Sequence, residues 1–359
     1  MESPHSNEGN AFLFERNDGL TAEQKGVASI WSNFDDDLQG VDPAVSDYVL
    51  SRRVAYSHND LPRYDLKHDE PDDVVIYKDI PYIGDGKRAH LLDVSIPKDA
   101  LYRGCPIPVV LEVHGGAFIY GFKEINRSHA IALARKGYAV VSPNYTLYPG
   151  GDFIDEMEDL AKVVEWVQAE GARYLLDVDQ MFATGDSAGA IDVLYLVAIE
   201  HNPDFAKLIG VAGHGARFKA LGLKSAMTNL DNVFDRSATD TGGLVDGIRP
   251  FYERLQTRLD GTAYSTTRGL VAGMGIPPVW MATSTDDFLE SSSLELGMML
   301  RDNDVDHQLI DCRARRNQSL PHNFMVGMPW LPESVECLDS MVSFFDEHQA
   351  PRRTLLSSV

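Results

Sequence analysis

Ser187 stands between two glycines in Gly185-Asp186-Ser187-Ala188-Gly189, a G-x-S-x-G pentapeptide. A serine hydroxyl attacks acyl carbon only when a neighbouring base removes its proton. The surrounding elements therefore decide whether this serine can react. The apolar run Met181 to Thr184 precedes it as a strand, and a helix runs from Ala188 to about Glu200. Between a strand and a helix, this pattern makes a sharp nucleophile elbow. Gly185 and Gly189 suit the crowding of such a turn because they carry no side chain. The helix N-terminus behind the serine favours developing negative charge. A second loop, His114-Gly115-Gly116-Ala117-Phe118, also ends an apolar strand. Its glycines let backbone N–H groups approach an oxyanion. With the N–H of Ala188, those of Gly115 and Gly116 are the expected oxyanion hole. His114 is read as structural, shaping the loop it opens.

These loops need a scaffold. Val74 to Tyr77 and Leu91 to Ile96 flank Gly84-Asp85-Gly86 as a hairpin. After it, short apolar runs alternate with helical stretches. Strands are expected at Val109 to Val113, Ala139 to Ser142, Met181 to Thr184, Pro278 to Ala282 and His307 to Ile310. Helices are expected at about Ser128 to Lys136, Glu156 to Glu170 and Ala188 to Glu200. Such alternation argues for an α/β fold with a mostly parallel central sheet flanked by helices. Residues 203–270 interrupt the pattern, with a helix near Val245 to Leu259, and are read as a cap insertion. Two helices are expected before any strand. One follows a capping box at Thr21 and Gln24, and the other starts at Asp42-Pro43. The division expected is 1–70 as a helical cap segment and 71–359 as the catalytic domain.

The chain has 359 residues, with apolar residues at 44% and charged residues at 24%, as in an ordinary folded protein. Lys+Arg is 32 and Asp+Glu is 54, a formal charge of −22. That charge repels phosphate backbones and anionic lipid surfaces, so neither nucleic acid nor membrane is an expected partner. Cys105, Cys312 and Cys337 show no CxxC spacing and no disulfide framework. Metal-ligand and phosphate-cradling patterns are missing too, so no metal or cofactor is expected. The polar, acidic start lacks a secretory signal pattern. The expected setting is cytoplasmic; the oligomeric state, homodimer included, is open.

The glycine loop and the elbow together resemble the hormone-sensitive-lipase-like group of α/β-hydrolases, the HGG-type carboxylesterases. The resemblance covers about residues 75 to 345. His114-Gly115-Gly116-Ala117 departs from the commoner His-Gly-Gly-Gly. Asn144-Tyr145-Thr146-Leu147-Tyr148-Pro149 loosely matches the family's Tyr-Arg-Leu-Ala-Pro segment without its arginine. The resemblance implies an α/β-hydrolase fold with a helical cap and the chain order serine, acid, histidine.

Downstream of Ser187 lie His201, His214, His307, His322 and His348. His322, in Leu320-Pro321-His322-Asn323-Phe324, fits the family's His-x-Phe. The family's Asp-x-Leu selects Asp287 in Asp286-Asp287-Phe288-Leu289, with Asp286 as the neighbouring alternative. The implied triad is Ser187, Asp287 and His322. Phe118, Tyr120, Tyr148, Phe234 and Tyr252 are candidate walls of a substrate pocket. The expected activity is hydrolysis of small, short-acyl carboxylic esters. A deacetylase or phenolic-acid esterase would use the same triad. A non-catalytic small-molecule receptor is disfavoured because both the histidine and the acid are present.

Overall fold

The computed structural model describes residues 34–60, 71–228, 231, 244–315 and 318–350. Helix α1 (Pro43–Asp60) comes first, then strands β1 (Val74–Pro81) and β2 (Leu91–Pro97) and the short α2 (Lys98–Arg103). The alternating part runs β3 (Ile107–Val113), α3 (Arg127–Arg135), β4 (Ala139–Pro143), α4 (Phe153–Glu170), β5 (Leu176–Asp186), α5 (Ala188–His201), α6 (Pro203–Ile209) and β6 (Phe218–Lys224). It continues through α7 (Leu244–Leu259), α8 (Thr267–Gly273), β7 (Val279–Ser284), α9 (Glu290–Asp302), β8 (His307–Cys312), α10 (Phe324–Gly327) and α11 (Pro332–Glu347). The helix expected after Thr21 lies outside the described residues.

The strands form one sheet in the order β1-β2-β4-β3-β5-β6-β7-β8. β2 pairs antiparallel with β1 and β4, and every later pairing is parallel. Every residue of β3 is buried, the signature of a parallel strand covered on both faces. Side chains alternate between those faces. Val109, Leu111, Ala183, Leu221 and Met281 enter one core with Val163 of α4 and Leu194 of α5. Val110, Phe182, Ala220 and Trp280 enter the other with Leu133 of α3 and Met341 and Phe345 of α11. Helix α5 is apolar all round and buried almost throughout, as befits a helix packed on every side.

Strand β6 corrects the reading of 203–270 as a cap insertion. It lies inside the sheet between β5 and β7. The departure from the central body therefore begins only after Lys224. The sequence obscured β6 because Lys219, Gly222 and Lys224 break its apolar run. Gly222 has a packing reason: a Cβ there would come within 2.4 Å of the Met341 sulfur on α11. Helix α4 also starts three residues earlier than expected. Asp152 caps it by accepting from the N–H groups of Ile154 and Asp155, and the Asp155 carboxylate accepts from the N–H of Asp152. That capping box is closed by Asp rather than Glu or Gln.

One pair of buried acids carries a stability consequence. Glu156 of α4 and Asp192 of α5 are fully buried on helices packed against each other. Burial, reinforced by Asp192, pushes Glu156 well above the usual 4.5. Burial pushes Asp192 up in the same way. The folded chain thus keeps protons that the unfolded chain releases. The associated stability is present below the ordinary carboxyl range and declines as pH rises, by about 1.4 kcal/mol per pH unit for each retained proton. Glu156→Gln removes one of the two titrating groups. Thermal melts should show a gain at pH 8 that exceeds the gain at pH 5. Parallel pH dependences for both proteins would contradict this.

Candidate active site

Strand β5 ends at Asp186 and helix α5 starts at Ala188, so Ser187 is the whole turn. Its backbone has φ 53° and ψ −120°, a conformation a serine adopts only when its surroundings enforce it. Those surroundings are crowded. A Cβ on Gly185 would stand 2.2 Å from the carbonyl oxygen of Gly189. The Ser187 N–H donates to the carbonyl of Lys224 at the end of β6, and the Ser187 carbonyl accepts from the N–H of Met227. The nucleophile candidate is therefore held by the strand that the sequence reading overlooked.

The structure brings the expected residues together. Ser187 Oγ and His322 Nε2 are 2.9 Å apart, and His322 Nδ1 is 2.8 Å from Asp287 Oδ1. Asp287 leaves the tip of β7, and His322 lies in the loop after β8. Burial would raise the Asp287 carboxyl. The His322 hydrogen bond and charge, the Ser225 hydroxyl and the Leu289 N–H outweigh it and hold the group below the usual range. Asp286, the neighbouring alternative, faces elsewhere. Its Oδ2 accepts from the Leu320 N–H at 2.9 Å and from the Ser319 hydroxyl at 3.1 Å. It pins the approach to His322 without reaching the imidazole ring.

The glycine loop lies directly against the elbow. A Cβ on Gly115 would meet Ser187 Cβ at 2.9 Å and the Asp186 carbonyl oxygen at 2.5 Å. Gly116 has φ 138°, and its carbonyl accepts from the N–H groups of Ile119 and Tyr120. Ala188 opens α5, so no preceding turn lies behind its N–H, whereas the Ala190 N–H already donates to the Ser187 carbonyl. His114 is buried beneath the loop. Its ring stacks 4.3 Å from that of Tyr145, and its Nδ1 is 2.9 Å from the Gly115 carbonyl oxygen. Burial pushes the ring's pKa down to about 4, so it stays neutral at ordinary pH.

Gly116 offers a direct test of the loop. A side chain there would collide with the Tyr120 carbonyl oxygen at 1.8 Å, in a backbone conformation that L-residues avoid. Gly116→Ala should cost about 10²–10³ in kcat, the scale for losing one oxyanion donor. Steady-state kinetics on a soluble ester would show it, and a loss under fivefold would remove Gly116 from the oxyanion hole.

Several supporting residues escaped the sequence reading. The Asp186 carboxylate accepts from Asn126 Nδ2 at 2.7 Å and from Asn323 Nδ2 at 2.8 Å. One side chain thus ties the elbow to α3 and to the residue following His322. The Asn323 N–H also donates to Ser225 Oγ. Arg53 of α1, only 1% exposed, donates to the carbonyls of Ile119 and Tyr148 and pairs with Asp37. That arginine fastens the N-terminal helix to the glycine loop. Asp186 sat inside the pentapeptide already singled out, but its partners are distant in sequence and carry no local signal. The proposed wall aromatics need revision. Phe118 and Tyr252 are buried and pack on each other and on Phe251, Tyr120 is buried as well, and Phe234 lies outside the described residues.

The sheet order, the serine elbow and the acid and histidine on successive loops are those of the α/β-hydrolase fold, which the chain shares. Within it, residues 92–229 match the BD-FAE family model. The chain is 34% identical over 116 residues to a probable isoprenylcysteine alpha-carbonyl methylesterase, ICME, of Oryza sativa subsp. japonica, covering 32% of this chain and 26% of that protein. It is 36% identical over 116 residues to the esterase LipQ of Mycobacterium tuberculosis, covering 31% and 26%. The aligned part spans about a quarter of the length of these curated relatives. Among solved structures, esterase B of Lactobacillus rhamnosis superposes with a TM-score of 0.73 at 24% identity, covering 85% of this chain and 95% of that one. The hyperthermophilic esterase of Pyrobaculum calidifontis superposes with a TM-score of 0.61 at 20% identity, covering 87% and 96%. At those identities the superpositions speak for the fold.

Proposed function

We propose that the protein is a carboxylic ester hydrolase acting on small, short-acyl esters through Ser187, His322 and Asp287. The observation that carries this is the unbroken hydrogen-bonded line from Ser187 Oγ through both imidazole nitrogens to Asp287. His322 Nε2 takes the Ser187 proton as Oγ attacks the ester carbonyl carbon. The N–H groups of Gly115, Gly116 and Ala188 receive the oxygen as it becomes negative. The imidazolium then returns its proton to the alcohol oxygen, the C–O bond breaks, and an acyl-serine remains. Water, activated by the same histidine, releases the acid. Asp287 is held anionic, so it fixes the ring's tautomer and stabilises the imidazolium. The named esterases among the relatives support the same reading.

The short-acyl part rests on filled space. Phe118, two residues past Gly116, packs 5.2 Å from Phe251 and 5.4 Å from Tyr252 of α7. Those buried rings fill the space around Phe118, which supports a shallow acyl site beside the glycine loop. Turnover of p-nitrophenyl esters should therefore peak at acyl chains of two to six carbons. Faster hydrolysis of emulsified long-chain triglycerides than of acetates and butyrates would overturn this part. No turnover of any ester would overturn the whole reading.

A further inference from the structure

Phe288 follows the acid directly, and the mechanism gives it no part. It is a large apolar side chain left 73% exposed. Single exposed apolar residues are ordinary on protein surfaces. This one is not placed at random, because its ring centroid lies 4.4 Å from that of His322 at a tilt of 42°. The imidazole is itself 20% exposed, so the two rings form a continuous aromatic wall open to solvent. The backbone beneath is firmly set. Asp287 N–H donates to the Ser284 carbonyl, and Asp287 Oδ1 accepts from the Leu289 N–H as well as meeting His322. The same carboxylate thus places both rings.

The chemistry assigns a side to this wall. In ester hydrolysis the alcohol oxygen must come within hydrogen-bond reach of His322 Nε2, which gives it a proton. The acyl oxygen sits at the opposite side, on the glycine loop. The alcohol's carbon skeleton consequently leaves past the imidazole ring against which Phe288 packs. A phenyl ring offers a π face and an edge but no hydrogen-bonding handle, unlike tyrosine or tryptophan.

On the basis of the proposed esterase activity, we infer that Phe288 is the binding platform for the alcohol half of the substrate, and that this half is an uncharged, aryl-bearing alcohol. Acyl length is then limited by the buried rings near Phe118, and alcohol choice by the exposed ring beside the base.

Benzyl acetate and ethyl acetate test this, since they share an acyl group and release alcohols of similar acidity. The readout is the ratio of their kcat/KM values, measured with wild type, Phe288→Ala and Phe288→Tyr across pH. Wild type should prefer the benzyl ester. Phe288→Ala should lower the ratio about fivefold, and Phe288→Tyr, which keeps the ring, should restore it. The pH midpoint of kcat/KM should stay in place. An unchanged ratio in Phe288→Ala overturns the inference while leaving the esterase reading intact. Equal losses on both esters with a displaced pH midpoint also overturn it, because Phe288 would then act only by shielding His322. Wild-type turnover of neither ester overturns the inference, and the esterase reading falls with it only if p-nitrophenyl acetate and butyrate are also left intact.

Discussion

Ser187→Ala should reduce ester turnover by roughly 10⁵–10⁶ while the chain stays folded. The magnitude is that of removing the nucleophile from a serine hydrolase, where the other two triad members contribute almost nothing without it. The fold should persist because the elbow's geometry is fixed by its backbone. Ser187 donates to Lys224 and accepts from Met227 through main-chain atoms, which alanine keeps. The positive φ of 53° strains either residue about equally. A fluorophosphonate probe should label wild type at Ser187 and leave the variant untouched. Labelling of the variant, or turnover within tenfold of wild type, would show that the reactive group lies elsewhere.

The second large effect separates two adjacent carboxylates. Asp287→Asn should lower kcat/KM about 10⁴-fold, since the amide would present an N–H to His322 Nδ1 and stabilise the wrong tautomer. Asp286→Asn should cost about tenfold or less. Asp286 serves the same loop through the Leu320 N–H and the Ser319 hydroxyl, and the carbonyl oxygen of asparagine can still accept from one of them. Kinetics of the two single variants settle the matter. If Asp286→Asn is the inactive one, the acid has been assigned one residue too late.

The two aspartates also show what the sequence could reveal. Asp287 was selectable because Asp287-Phe288-Leu289, between β7 and α9, matches the Asp-x-Leu pattern of the family the sequence resembles, a signal carried by three adjacent residues. The elbow was legible for the same reason, with two glycines, a strand before and a helix after within about twenty residues. Contacts between distant segments left no such mark. Asn323 reaches Asp186 across 137 positions and Arg53 reaches Ile119 across 66. Nothing in the residues around either partner announces the other. Strand β6 was missed for another reason. Gly222 lowers the strand's apparent propensity, yet the helix packed behind it leaves no room for a side chain. A packing requirement there outweighed the local preference on which sequence reading depends.

The chain that leaves β6 returns to β7, its immediate neighbour in the sheet. Because the two strands run parallel, the connection crosses from the end of β6 back to the start of β7. Closing such an excursion costs little more as it grows, about 0.6 kcal/mol for each doubling of a flexible length. The stretch from 229 to 278 is therefore exchangeable as far as chain entropy is concerned, whereas Ser225 and Met227 hold Asn323 and Ser187 and must stay. Its anchorage sets the terms of exchange. Phe251, Tyr252, Leu255 and Leu259 of α7 are buried in the main core, with the first two packed on the ring of Phe118. A graft that preserves this apolar face and leaves residues 225–228 in place can vary in length elsewhere, so a library built on the scaffold can recut the space beside the glycine loop while keeping the contacts of Ser225 and Met227 to the site.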